Sequence, residues 1–231
     1  MRSRRRLEIC VESVERAVAA EQGGADRIEL CRDLAVDGLT PTAEQMRAVR
    51  QSVAIPIFAM VRPRPGDFVY ASAEFDQMKR DLALAHTCRM DGVVLGLLQK
   101  NGGIDAQRAR ELVELAAPLP VTFHRAFDAC TDLENALDDV IATGCKRILT
   151  SGGKATALDG GTKLAELVQR ASRRTAIVPG GGITSANIAE IARTTGACEF
   201  HAALSSVVSP DASPAAFQAE VFRLATALSA C

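Results

Sequence analysis

Val121-Thr122-Phe123-His124-Arg125-Ala126-Phe127-Asp128 begins as a strand, with β-branched and aromatic residues alternating with others, and ends in a charged tip. Pro118 and Pro120 stop the segment before it. Thr131-Asp132-Leu133-Glu134 after it reads as a capping box, a hydroxyl and a carboxylate each satisfying a free backbone N–H. The segment that follows carries Leu133, Ala136, Leu137, Val140 and Ile141, the i, i+3, i+4, i+7, i+8 stripe of an amphipathic helix. One strand, one polar tip and one helix make a β/α unit.

The rest of the chain repeats that unit. Strands are expected over 7–11, 27–31, 55–62, 92–98, 147–153, 176–183 and 199–202, besides the quoted stretch. Helices are expected to open at Ser13, Thr40-Pro41, Ser72, Asp105, Thr131, Thr184 and Ser213-Pro214, with another around Leu164, Leu167 and Val168. Eight such units with no linker between them predict a single (β/α)8 TIM-type barrel over 1–231, preceded only by a basic N-terminal tail at 1–6. A doubly wound sheet is the alternative arrangement of the same elements.

Composition excludes several functions. The chain of 231 residues has 27 basic and 28 acidic side chains, a formal net charge of −1, one Tyr and no Trp. Nucleic-acid partners, which need a basic face and aromatic platforms, are not expected. The basic start is followed by Glu8, Glu12 and Glu15 instead of an apolar core, so neither an export signal nor a membrane partner is expected. Seven scattered cysteines do not form a disulfide framework and suit a reducing cytoplasm.

Strand side chains alternate between faces. Leu7, Ile9 and Val11 share one face against Glu8 and Cys10. Ile28 and Leu30 oppose Glu29 and Cys31, Val121 and Phe123 oppose Thr122 and His124, and Phe200 opposes Glu199 and His201. The helices that coat a barrel demand apolar contact, so the polar set points into the lumen. Placing Ile57, Ala59 and Val61 outward sends Arg62 inward. Glu8, Glu29, Glu199, Arg62, His124 and His201 then converge, either as a self-neutralised polar core or as the acid–base set of a catalytic site.

Glu-Ile-Cys at 8–10 and Glu-Leu-Cys at 29–31 put two inward thiols, Cys10 and Cys31, on neighbouring strands about 4.8 Å apart. They read either as small buried packing residues or as soft ligands for one metal ion. Gly152 at the end of strand six and Gly180, Gly181 and Gly182 in the turn that ends strand seven lie on one rim. They serve either as tight turns or as an anion-binding cradle of exposed amides.

Taken together, Glu8-Ile9-Cys10-Val11-Glu12-Ser13, the run 23–31, Val61-Arg62-Pro63-Arg64, Gly66-Asp67-Phe68, the run 120–128, Leu149-Thr150-Ser151-Gly152, Pro179-Gly180-Gly181-Gly182-Ile183 and Glu199-Phe200-His201 resemble the CutC family, named for copper homeostasis. The resemblance runs in unbroken order from about Leu7 to Ser206. It implies a cytoplasmic barrel that forms a homo-oligomer, a dimer or tetramer, and handles copper. The family's proposed Cu(I) ligands fall on Cys10 and Cys31. No organic cofactor is expected. A copper carrier has no need of Glu8, Glu29, His124 and a glycine rim, and these suit an enzyme performing lyase- or isomerase-like proton transfer on a small anionic metabolite. In that reading Glu8, Glu29 or His124 act as acid and base, and Arg62 and the glycine amides hold the anion.

Overall fold

A computed structural model describes residues 4–209 and 211–231. Eight strands alternate with eight helices: β1 (Arg6–Val11), α1 (Val14–Gln22), β2 (Arg27–Leu30), α2 (Ala43–Ser52), β3 (Ile57–Met60), α3 (Ser72–Thr87), β4 (Gly92–Leu95), α4 (Ala106–Ala116), β5 (Val121–Phe123), α5 (Leu133–Thr143), β6 (Arg147–Thr150), α6 (Gly161–Ala171), β7 (Ala176–Pro179), α7 (Ile188–Thr195), β8 (Glu199–Ala202) and α8 (Pro214–Ser229). The strands form one parallel sheet in the order β7-β6-β5-β4-β3-β2-β1-β8. The ring closes where β7 packs beside β8, a Cβ on Gly180 falling 3.4 Å from that of His201. This is the (β/α)8 barrel expected from the repeat.

Alternation sorts the two faces. Leu7, Ile9, Ile28, Leu30, Ile57, Val93, Phe123, Ile148 and Phe200 are fully buried between sheet and helices. Each such side chain contributes roughly 1.5–3 kcal/mol of burial. The opposite face carries Glu8, Cys10, Glu29, Phe58, Met60, Thr122, Arg147 and His201 into the lumen. The first and last helices pack together at Gly23, where a Cβ would come within 2.6 Å of Val221.

Several helix starts differ from expectation, each for a local reason. The hydroxyl of Thr40 is engaged with Asp81 at 2.9 Å and accepts from the Arg62 amide, so α2 opens later. Its cap is Thr42, in a box with Gln45. Asp132, not Thr131, caps α5, accepting from the amides of Glu134 and Asn135. Ala71 and Asn187 occupy the N-cap positions of α3 and α7, leaving Ser72 as the first helical residue and Thr184 in the preceding turn. Of the basic start, Arg2 lies outside the described residues. Arg4 pairs with Asp26 at 2.8 Å, Arg5 donates to the Cys231 carbonyl and Arg6 opens β1, so these three are tied to the barrel.

Candidate metal centre and its cavity

The lumen is layered by strand register. In the β1–β2 ladder Glu8 sits beside Arg27 and Cys10 beside Glu29, which leaves Cys31 one inward-facing position above Cys10. The Cys10 side chain nevertheless reaches Cys31, with the two Sγ atoms 3.6 Å apart. Both thiols are buried, and Gly38 lies directly over Cys31: a Cβ there would be 3.2 Å from the sulfur. The hydrogen bond with Cys31, together with burial and the Glu29 carboxylate, holds the Cys10 thiol well above its usual pKa.

Below the thiols lies an ionic chain. Arg27 donates from Nε to Glu8 and from Nη2 to Glu199 at 2.8 Å. The other Glu8 oxygen, Oε1, lies 2.8 Å from His201 Nδ1. Burial pushes the Glu8 carboxyl up, but Arg27 and His201 outweigh it and hold it at about 2. Burial works against a charged His201, while the Glu29 and Glu8 carboxylates raise its pKa above the ordinary histidine value. For Glu29, burial dominates and raises the pKa. Its Oε2 has no hydrogen-bond partner among the described residues. Sγ of Cys10, a carboxylate oxygen of Glu29 and a ring nitrogen of His201 all lie within 4.8 Å of one another.

Above the chain a cavity of about 360 Å³ opens at the C-terminal end of the strands, where barrel active sites are built. Cys10, Glu29, Arg62, His124, Arg125 and His201 are among its lining. His124 accepts from the Ala126 amide at Nδ1, 3.1 Å away, which leaves the proton on Nε2, and that nitrogen is buried without a partner among the described residues. Burial, and then the Arg62 charge, lower its pKa to about 3, so the imidazole is neutral. It fits only because residue 96 is glycine: a Cβ there would lie 2.5 Å from Nδ1.

The residues singled out by sequence therefore divide. Glu29, Arg62, His124, His201, Cys10, Gly181 and Gly182 line the cavity, and Cys31 lies behind Cys10. Glu8 and Glu199 lie deeper, bound to Arg27. Arg62 spends its guanidinium on the carbonyls of Val36, Gly38 and Gly66. Gly152 donates to the Thr150 hydroxyl and Gly180 to the Thr150 carbonyl. The turn at Gly152–Gly153 instead cradles the Asp128 carboxylate, which accepts from the amides of Ser151 and Gly153. The amides of Gly181 and Gly182 make no hydrogen bond among the described residues.

Arg27, Gly96, Arg125 and Asp128 also shape the site, although they are not among the residues that the sequence pattern singles out. Arg27 had a readable signal, since it shares the inward parity of Glu29 and Cys31. The other three act through tertiary contacts that alternation does not encode.

Fold and site together define a parallel β/α barrel with a thiol–carboxylate–imidazole cluster at its mouth. The model of the CutC family matches residues 5–206, and the chain belongs to that family. It is 47% identical over 195 residues to the human copper homeostasis protein cutC homolog, covering 84% of this chain and 71% of that one. It is 46% identical over 196 residues to a family protein CutC of Chromobacterium violaceum, covering 85% and 79%. Among solved structures, CutC from Streptococcus agalactiae superposes with a TM-score of 0.82 at 32% identity, covering 86% of this chain and 98% of that one. The thiamine phosphate pyrophosphorylase of Pyrococcus furiosus, at 17% identity and a TM-score of 0.66, shares the barrel fold. No helix among the described residues is long and apolar enough to cross a membrane.

Proposed function

We propose that this protein takes part in copper homeostasis by binding Cu(I) through Cys10 and Cys31 in a reducing cytoplasm. The observation that carries the reading is the pair of buried sulfurs 3.6 Å apart. Thiolates are soft donors that select Cu(I), and two at this spacing can share one ion. The family membership and the name of the human relative point the same way. The Cys10 thiol is held protonated, so copper binding must displace a proton and tightens as pH rises.

A Cu(I) competition titration under reducing conditions tests this on wild type, Cys10→Ser, Cys31→Ser and the double variant. One equivalent bound by wild type and lost in each single variant is the expected result. A double variant that binds copper as tightly as wild type overturns it.

A second reading is favoured by one specific observation, the buried and unpartnered Nε2 of His124 in a lining that also holds Glu29. In this reading the barrel is an enzyme acting on a small anionic metabolite. The neutral imidazole donates a hydrogen bond, Glu29 exchanges a proton, and Arg125 with the Gly181 and Gly182 amides holds the anion. Soaking with phosphate and small sugar phosphates tests it: an anion bound at Gly181 supports it, and none at high concentration overturns it.

A further inference from the structure

We propose that Cys10, Glu29 and His201 form a three-donor site for a borderline divalent cation of the zinc class, with a fourth coordination position facing the cavity. The site shares Cys10 with the thiol pair and does not depend on the Cu(I) reading.

The spacing favours it. His201 Nε2 and Glu29 Oε1 lie 4.0 Å apart, too far for a hydrogen bond, with the Cys10 sulfur within 4.8 Å of the donor atoms of both. Donors around a tetrahedral zinc stand at roughly 2.0–2.3 Å from the ion, so a modest contraction of this set encloses one. Glu29 Oε2 is the second observation. A carboxylate oxygen buried with no partner among the described residues is costly, and a bound cation removes the cost.

The layer behind the donors is built as metal sites are built. The Glu8 carboxylate, fixed by Arg27, lies on Nδ1 of His201 at 2.8 Å. That carboxylate keeps a proton on Nδ1, so an incoming cation displaces only the proton on Nε2, the nitrogen 4.0 Å from Glu29 Oε1. Arg27 is steadied in turn by Glu199 and by the Phe58 ring, 4.8 Å from its Cζ. One thiolate and one carboxylate neutralise a divalent ion.

The donor chemistry separates the two metals. Cu(I) takes the two thiols, whereas one thiolate, one imidazole and one carboxylate suit zinc. Three protein ligands at the wall of a cavity, with one position left for water or an anion, are the pattern of catalytic and not structural zinc. His124 and Arg125 line the same cavity, which suits the site to an anionic exogenous ligand.

Co(II) is the probe, titrated without oxygen into reduced wild type, Cys10→Ser, Cys31→Ser, Glu29→Gln and His201→Asn. In His201→Asn an amide can still donate to Glu8 while the metal-facing nitrogen is deleted. Wild type and Cys31→Ser should both give a sulfur-to-cobalt charge-transfer band and the intense d–d bands of a four-coordinate ion. Cys10→Ser should lose the charge-transfer band. Glu29→Gln and His201→Asn should weaken Co(II) binding at least about tenfold yet retain Cu(I). Azide should then shift the d–d bands of the wild-type cobalt form.

Thermal melts confirm that each variant is folded, and if His201→Asn is not, Glu29→Gln decides. The proposal is overturned if wild type gives no cobalt band, if Cys31→Ser loses it as Cys10→Ser does, or if the folded Glu29 or His201 variant binds Co(II) like wild type. Bands unmoved by azide overturn the open position. Failure of the Cu(I) reading shows separately, as unchanged Cu(I) binding in the double cysteine variant.

Discussion

Oε1 of Glu8 and Nδ1 of His201 lie 2.8 Å apart, and through that bond a buried imidazole is tied to the Arg27 guanidinium on the far side of the carboxylate. Neither charge would be stable alone in this interior. Burial raises the Glu8 pKa, and Arg27 and His201 more than reverse this, from 4.5 to about 2. Because the folded pKa is depressed, the stabilisation is fully present above the unfolded value and is lost as pH falls through the folded one. It amounts to about 3 kcal/mol. Urea melts of Glu8→Gln should show a loss of about that size at pH 7, shrinking as the pH is lowered from 4.5 toward 2. A difference independent of pH would mean the carboxylate is not held by charge.

His124 and His201 should drive stability in opposite directions. The folded pKa of His124 is depressed from 6.5 to about 3, by burial and then by Arg62. Its contribution is therefore present above pH 6.5 and lost as pH falls toward 3, by up to about 1.4 kcal/mol per unit. His201 has a raised folded pKa, despite burial, because of Glu29 and Glu8. Its contribution is complete below 6.5 and fades as pH rises through the folded value. Nitrogen-detected NMR of the imidazoles should find His124 neutral at pH 5 and His201 still charged above 6.5. His124→Asn, which keeps an acceptor for the Ala126 amide, should flatten the stability profile between pH 6.5 and 4.5.

Alternation in the strands was enough to place Glu8, Glu29, Arg62, His124 and His201 inside the barrel, because the helices leave apolar side chains one face only. Register was not legible. The matched Glu-x-Cys repeats suggest two cysteines at one height, but β2 is shifted so that Glu8 meets Arg27 and Cys10 meets Glu29. That shift puts opposite charges side by side, a preference visible only once the strands pair. The partners of Arg62 were equally hidden, since they are carbonyls of loops that fold back over the barrel mouth.

Gly96→Ala should act on the site through packing alone. The added methyl would sit 2.5 Å from Nδ1 and 2.6 Å from Cε1 of His124, and 3.1 Å from the Ala126 Cβ. The ring must then swing away and give up the Ala126 amide. Overpacking of this kind costs about 1–3 kcal/mol. The expected signature is a lowered melting temperature with a large shift of the Ala126 amide resonance. An unchanged Ala126 resonance would show that the ring has room to spare.

Asp128 should behave as a built-in anion. Its carboxylate accepts from the Thr150 hydroxyl at 2.5 Å, from the Ser151 amide and hydroxyl, each at 3.0 Å, and from the Gly153 amide at 3.0 Å, and it pairs with Arg125 at 2.8 Å. Gly152 and Gly153, at φ of 73° and 71°, supply the left-handed turn that brings those amides together. A cradle satisfied by a side chain cannot also hold a free anion, so phosphate should leave the wild-type turn untouched. Asp128→Asn keeps one acceptor but turns an amide donor toward donors, and should cost roughly 2–3 kcal/mol. Asp128→Ala should be destabilised further and then partly rescued by acetate or formate, its melting temperature rising with their concentration while that of wild type does not. Rescue would also restore the hold on Arg125, which Asp128 shares with the Ser151 hydroxyl at 2.9 Å. If carboxylates raise both melting temperatures equally, the effect is a general one of salt and Asp128 does not fill an anion cradle.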